Sequence, residues 1–325
     1  MTDRFFVSRL NSLISLSGIV IFLKGMAMGL GDSVPGVSGG TIAVITNIYE
    51  RLIFALGSID SNAVRLLGRG KIAKFWGYID GNFLSLLLLG ILAGLLVSAN
   101  TVLFLLENFP EPLMAFFIGL VLSSARILQS KYSLEKMSVW VLLFLGVFAA
   151  VCIGNLEPRG IADNSYFYIF LCGAIGICAM ILPGISGAFI LLLLGAYQFM
   201  LNALVTGNLP YISVFIMGCV LGLLVFSRIL GWLLRNYHDY SFGFISGVLV
   251  GSAYFLWPWQ HAVSFYVDSS GIQQPLQTNH ILPLNYTEMT GNSPWLGLAI
   301  LAFFVGIILV NILNIMFDQK NVAEN

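Results

Sequence analysis

Runs of apolar residues, each about the length of a membrane helix, alternate with short polar turns along almost the whole chain. Uninterrupted runs cover Phe83–Leu106, Leu113–Leu128, Ser138–Asn155, Tyr211–Leu234, Ser241–Gln260 and Pro294–Phe317. A bilayer needs about 20 such residues per helix. Two further apolar stretches are broken in the middle. One runs from Asn11 to Leu30, stops at Pro35-Gly36-Val37-Ser38-Gly39-Gly40-Thr41, and continues from Thr41 to Leu56. The other is Tyr166–Leu182, the break Pro183-Gly184-Ile185-Ser186-Gly187-Ala188-Phe189, and Gly187–Val205.

Proline removes a backbone donor and glycine weakens a helix, so each Pro-Gly reads as a break. The residues after it suit a new helix start, because Ser caps and Gly admits close approach to the backbone. Each arm is short for a full span, which predicts a re-entrant hairpin at 12–57 and another at 166–206.

The two hairpins are copies. A shift of 148 residues aligns Gly25–Leu56 with Gly173–Leu204, with Gly25, Pro35, Gly36, Ser38, Gly39, Ile42, Tyr49, Ala55 and Leu56 recurring. A shift of 128 matches Ser85, Gly90, Gly94, Leu95, Leu96 and Val97 to Ser213, Gly218, Gly222, Leu223, Leu224 and Val225. Phe116, Gly119, Ser124 and Ala125 then match Phe244, Gly247, Ser252 and Ala253. The expected fold is an all-α polytopic membrane protein of two inverted-topology repeats. Each repeat is a broken-helix hairpin followed by three transmembrane helices. The first occupies 1–165, with a basic connector at 58–80 and spans within 83–155. The second occupies 166–325, with spans within 211–317 and an external polar loop at 261–293. Three spans separate the hairpins, so the second enters from the opposite side and both tips reach the midplane.

Composition and charge agree with this reading. Of the 325 residues 58% are hydrophobic and only 9% charged, against about a quarter charged in soluble domains. The ten-residue alternation of an outer-membrane barrel is absent. The first apolar run has no small-residue cleavage site and reads as retained. The formal net charge is zero, but the cations are gathered on one side. Arg4, Arg9, Arg51, Arg65, Arg69, Lys71, Lys74, Arg126, Lys131, Lys136, Arg235 and Lys320 fall on the side of the two termini, and Arg159 on the other. The positive-inside rule makes the first side cytoplasmic. The four cysteines form no Cys-x-x-Cys or Cys/His cluster, so no metal or cofactor is expected.

A helix that starts within the membrane aims unpaired N–H groups and its positive dipole end at a place without bulk water, which suits an anion. The expected binding groups are Ser38, Gly39, Gly40 and Thr41 at one tip and Ser186 and Gly187 at the other. A buried anion needs fixed positive charge. Arg228, within a span, and Arg126, at a span end, are the candidates. The alternative for both is snorkelling to the cytoplasmic surface. Lys24 carries the same ambiguity. Asp32 and Glu50 break the internal symmetry, since their counterparts are Met180 and Gln198. Either acid is a candidate for coupling to a proton or sodium ion, Asp32 ahead of Glu50, because Glu50 is followed by Arg51 and suits a surface pair. The alternatives for Asp32 are to cap a helix or to pair with Lys24 or Arg51. Gly36-Val37-Ser38-Gly39 also matches the GxSG of intramembrane serine proteases. A nucleophilic serine needs a histidine partner, and His238, His261 and His280 lie in predicted loops or at a span end. No enzymatic role is expected.

Gly29-Leu30-Gly31-Asp32-Ser33-Val34-Pro35-Gly36-Val37-Ser38-Gly39-Gly40-Thr41, with Ile48-Tyr49-Glu50 and Leu182-Pro183-Gly184-Ile185-Ser186-Gly187-Ala188, resembles the bacterial polyprenyl-phosphate transporter family. The likeness covers nearly the whole chain. It implies translocation of undecaprenyl phosphate from the outer to the cytoplasmic leaflet of the cytoplasmic (inner) membrane, for re-use in envelope synthesis. The implied partners are the polyprenyl-phosphate lipid and the membrane, not nucleic acid. A homo-oligomer is compatible with the pattern. A secondary transporter or channel for a small soluble anion is the alternative that the residues alone allow.

Overall fold

The computed structural model describes residues 16–32, 38–156, 165–267 and 273–323. Helix α1 (Leu16–Asp32) leads to the first break, of which Pro35, Gly36 and Val37 lie outside the described residues. Two short helices follow, α2 (Gly39–Ile45) and α3 (Tyr49–Gly57). The connector forms α4 (Ser61–Gly68) and α5 (Ile72–Tyr78). Then come α6 (Gly81–Asn108), α7 (Pro110–Leu128), a 3₁₀ turn at Gln129–Lys131, and α8 (Met137–Gly154). The second half contains α9 (Tyr166–Ile181), α10 (Gly187–Leu193), α11 (Tyr197–Val205), α12 (Leu209–Asn236) and α13 (His238–Ser252). A hairpin of β1 (Gln260–Val267) and β2 (Gln273–His280), the short α14 (Pro283–Thr290) and the final α15 (Leu296–Ala323) complete it.

Among the described residues five helices are long and apolar enough to cross a membrane: α6, α7, α8, α12 and α15. Their outward faces carry exposed Leu88, Leu92 and Leu96 on α6, Phe144 and Phe148 on α8, and Ile308 on α15. Such a surface is stable in hydrocarbon and not in water. The chain is a multi-pass membrane protein.

The expected second arm of each hairpin is not one helix but two. Helices α10 and α11 meet at 105°, and α2 and α3 are separated in the same way at 46–48. The cause is a left-handed residue at the equivalent place, Asn47 (φ 56°) and Gly195 (φ 68°). Gly and Asn are the residues that tolerate this conformation.

Helix boundaries recur with the same two offsets as the sequence. Helices α2 and α3 reappear 148 residues on as α10 and α11, and α6 reappears 128 residues on as α12. Packing recurs as well. Helix α1 lies along α6 as α9 lies along α12, while α7 packs on α15 as α13 packs on α8. Glycines set the close approach within each pair. A methyl group on Gly25 would strike the Leu87 carbonyl, on Gly173 the Phe215 carbonyl, on Gly119 the Phe303 carbonyl and on Gly247 the Leu143 carbonyl. Small residues bring membrane helices into contact in this way because lipid supplies no hydrophobic drive between them.

The region expected to be an external polar loop is folded. Strands β1 and β2 pair antiparallel, with Gln260 opposite His280 and Val267 opposite Gln273. Indole N–H groups hold the flanks, Trp257 donating to the Ile281 carbonyl at 2.9 Å and Trp259 to that of Pro294 at 2.8 Å. The Tyr286 hydroxyl donates to buried Glu111, in the first turn of α7, at 2.6 Å. Polarity is compatible with a strand pair once the backbone groups are satisfied across the ladder. Helix α13 accordingly ends at Ser252, short of the Gln260 that its apolar run suggests.

Candidate functional site

The two breaks meet. The Ser38 hydroxyl donates to the Leu182 carbonyl at 3.3 Å, and the Gly184 amide donates to the Thr41 hydroxyl at 3.0 Å. A methyl group on Gly40 would lie 2.6 Å from the Ile181 carbonyl, so only glycine lets the tips come this close. Ser38 and Thr41 are fully buried. These contacts join residues more than 140 positions apart, in the middle of the apolar sequence.

The first half-helix, α2, is held at both ends by α1. At its start the Asp32 carboxylate accepts the Gly39 amide at 2.5 Å. At its end Lys24 donates to the carbonyl of Thr46, the C-cap, at 2.7 Å. Lys24 and Asp32 stand eight residues apart, about 12 Å along a helix, and the seven residues of α2 span about 10 Å. One negative and one positive group are therefore spaced to match the dipole of the helix that they flank. Asp32 does not pair with Lys24 or Arg51. It accepts the first amide of α2, and Ser38, at the N-cap position, makes no side-chain cap hydrogen bond to its own helix.

The second half-helix, α10, uses neutral groups. The Ser186 side chain caps it by accepting from the Phe189 amide at 3.5 Å. The Leu194 carbonyl, equivalent to that of Thr46, accepts the Tyr168 hydroxyl at 2.6 Å. Gly187 packs against the Gly176 carbonyl. Gly184, with φ 84°, rests on α13, where a methyl group would come 3.0 Å from the Ser252 hydroxyl.

The other expected residues lie elsewhere. Arg228 is exposed, and its guanidinium donates to the Ile59 carbonyl, at the start of the connector. Arg126 is exposed in the last turn of α7. Glu50 pairs with Lys131 at 2.7 Å, not with Arg51. Arg51 pairs with Asp80 at 2.7 Å and lies over the Phe83 ring. The structure thus brings together Asp32, Ser38, Gly39, Gly40 and Thr41 with the second break, and leaves Arg228 and Glu50 in contacts of their own and Arg126 exposed at the end of α7.

Sequence reasoning missed three participants: the backbone carbonyls of Ile181 and Leu182, the Lys24–Thr46 contact, and Ser252. The last had a signal, since Ser252 recurs as Ser124, and both hydroxyls donate back to a helix carbonyl, of Leu249 and Leu120 respectively.

No solved structure matches the chain at a significant level. A polyprenyl-phosphate transporter of Vibrio cholerae serotype O1 is 40% identical over 290 residues, covering 89% of this chain and 94% of the relative. A polyprenyl-phosphate transporter of Staphylococcus aureus is 29% identical over 253 residues, covering 73% of this chain and 85% of that protein. The profile of the VCA0040-like, undecaprenyl phosphate translocase-like family matches residues 28–274, which include both breaks and all of α2–α13. The chain belongs to that family.

Proposed function

We propose that the protein translocates a polyprenyl phosphate, undecaprenyl phosphate by family likeness, from the outer to the cytoplasmic leaflet of the bacterial inner membrane, returning the carrier for envelope synthesis. The observation that carries this is the cross-break pairing of Ser38 with Leu182 and of Gly184 with Thr41. It brings the start of α2 and the backbone of the second break together at one point within the apolar sequence. Moving a bare phosphate through lipid meets a large desolvation cost, and fixed amide dipoles offset it.

The two N–H groups at this point are engaged from within the chain, Gly39 by the Asp32 carboxylate and Gly184 by the Thr41 hydroxyl. A phosphate head group takes over these donors, with Ser38, Gly40, Ser186 and Gly187 around it. Asp32 and the phosphate repel as like charges. A proton on Asp32 removes that repulsion and weakens its hold on Gly39, so head-group entry is coupled to proton uptake. We leave Glu50 to its ion pair with Lys131 and give the coupling role to Asp32. Arg228 and Arg126, on the face rich in Lys and Arg, are the cations that the head group meets on leaving the tips. The repeat is supported by the recurring helix boundaries and by the matched packing of α7 on α15 and α13 on α8. Its inversion, with both termini cytoplasmic, is supported by the three spans between the breaks and the distribution of Lys and Arg. It gives the same site access from either side.

Proteoliposomes holding the purified protein and a fluorescent polyprenyl phosphate, read by leaflet-specific quenching, test the reading. Rapid loss of leaflet protection, with no accelerated chloride efflux, is expected. Chloride efflux without lipid movement would establish a soluble-anion pathway instead and overturn it.

A further inference from the structure

Where the isoprenoid tail lies during transport is a separate question from where the head binds. A groove of about 780 Å³ opens between α8, α12 and α13. Leu182, Phe226, Leu230, Leu233, Tyr240 and Phe244 are among its lining residues. The wall is almost wholly hydrocarbon, and an apolar recess of this kind does not hold ordered water.

Its position is informative. One of its lining residues is Leu182, whose carbonyl accepts the Ser38 hydroxyl and which directly precedes the second Pro-Gly. Tyr240 belongs to a chain of aromatic rings, with Trp232 and Tyr237 at 5.5 Å and Tyr237 and Tyr240 at 6.3 Å. Beside it Lys136 pairs with Asp239 at 2.9 Å. Aromatic belts and ion pairs of this sort lie at the membrane–water interface. From Phe226 to Tyr237 the helix rises about 16 Å, close to half of the roughly 30 Å hydrocarbon thickness. The groove therefore spans one leaflet, from the meeting point of the breaks to one surface.

We infer that this groove holds the first isoprene units of a polyprenyl phosphate while its head occupies the breaks, an assignment that rests on the proposed function. A molecule whose phosphate is at the tips begins its hydrocarbon at Leu182, which lines the groove. An ordinary phospholipid keeps its head group at the interface and enters, if at all, from the opposite end. The groove is open at its side, so the remainder of a long tail leaves it into the bilayer. Recognition is thus set by the units next to the phosphate and not by total chain length.

The test uses a polyprenyl phosphate carrying a diazirine in the second isoprene unit and, separately, a phosphatidylcholine with a diazirine in its acyl chain. Both are photolysed with the intact protein in vesicles and mapped by peptide sequencing. Labelling at Leu182, Phe226 or Leu230 by the prenyl probe, competed by unlabelled polyprenyl phosphate, is expected. Phosphatidylcholine labelling of the same residues that polyprenyl phosphate does not displace would overturn the inference, as would prenyl labelling confined to other helices. In flipping assays Leu233→Trp, which fills the groove from a half-buried position, is expected to slow translocation at least tenfold. It should leave the rate equally low for short and long prenyl phosphates. Wild-type flipping with a Leu233→Trp rate unchanged sinks the groove but not the transport function. No flipping by the wild type sinks the function itself.

Discussion

The two half-helices that follow the breaks have the same length and the same offset in the repeat, yet they are anchored differently. All seven residues of α2 are buried, and α1 supplies a carboxylate to its start and an ammonium to its end. Only Gly187 is buried in α10, whose ends are met by the Ser186 and Tyr168 hydroxyls. The backbone motif is shared and the charge is not. Charged groups of α1 hold one half-helix at both ends, whereas neutral hydroxyls hold the other.

Breaking this contrast should have its largest effect at Asp32. Asp32→Asn keeps an oxygen for the Gly39 amide but removes the charge. A hydrogen bond to an ionised group is stronger than a neutral one by about 1–2 kcal/mol, and each 1.4 kcal/mol is roughly tenfold in a rate or equilibrium. The variant mimics protonated Asp32, so the head group enters without proton uptake, but the returning charge that reclaims the Gly39 amide and expels the head group is missing. With that contact weaker by this amount, the variant is expected to lose about tenfold in flipping rate and all stimulation by a proton gradient in proteoliposomes. Undiminished stimulation would remove Asp32 from coupling. The other end of α2 comes next. Lys24→Met takes a partly buried cation from a helix C-terminus, about 2 kcal/mol at most, whereas Tyr168→Phe removes the neutral hydrogen bond to the Leu194 carbonyl, about 1 kcal/mol. Thermal unfolding in detergent should show a larger fall in midpoint for Lys24→Met, and equal falls would mean that the charge adds nothing. The smallest effect is expected from Glu50→Gln, which gives the first repeat the Gln that the second has at position 198. Its pair with Lys131 is about one-third exposed on each side, so screening holds its worth below about 1 kcal/mol. Transport should stay near the wild-type rate in the flipping assay. A loss as deep as that of Asp32→Asn would move the coupling role to Glu50.

Much of this was legible in the chain because hydrocarbon imposes strict rules. Helices α6, α7, α8, α9 and α12 lie within a few residues of their expected bounds, since apolar length alone selects a span. The Pro-Gly breaks and the recurring glycines were visible because backbone geometry demands those residues and no others. What stayed hidden depended on tertiary neighbours. That Lys24 reaches the Thr46 carbonyl cannot be seen until α1 is laid against α2, and of the roles open to Asp32 only that packing selects the cap on Gly39. Asn47 and Gly195 carried the signal for the extra bend, but Asn is common enough outside the left-handed region to go unread. The hairpin at 260–280 lacks a sustained apolar alternation, and its order comes from the Trp257, Trp259 and Tyr286 contacts.

The glycine-lined helix pairs constrain how any such molecule can move. Where one backbone rests on another with no side chain between, sliding has to drag carbonyls across Cα atoms, and each couple behaves as a single stiff plank. Freedom is left at the seams between planks, where larger side chains meet and can repack. Conformational exchange should accordingly carry α1 with α6, α9 with α12, α7 with α15 and α8 with α13, as four bodies whose internal spacing stays fixed while the joints between them open and shut.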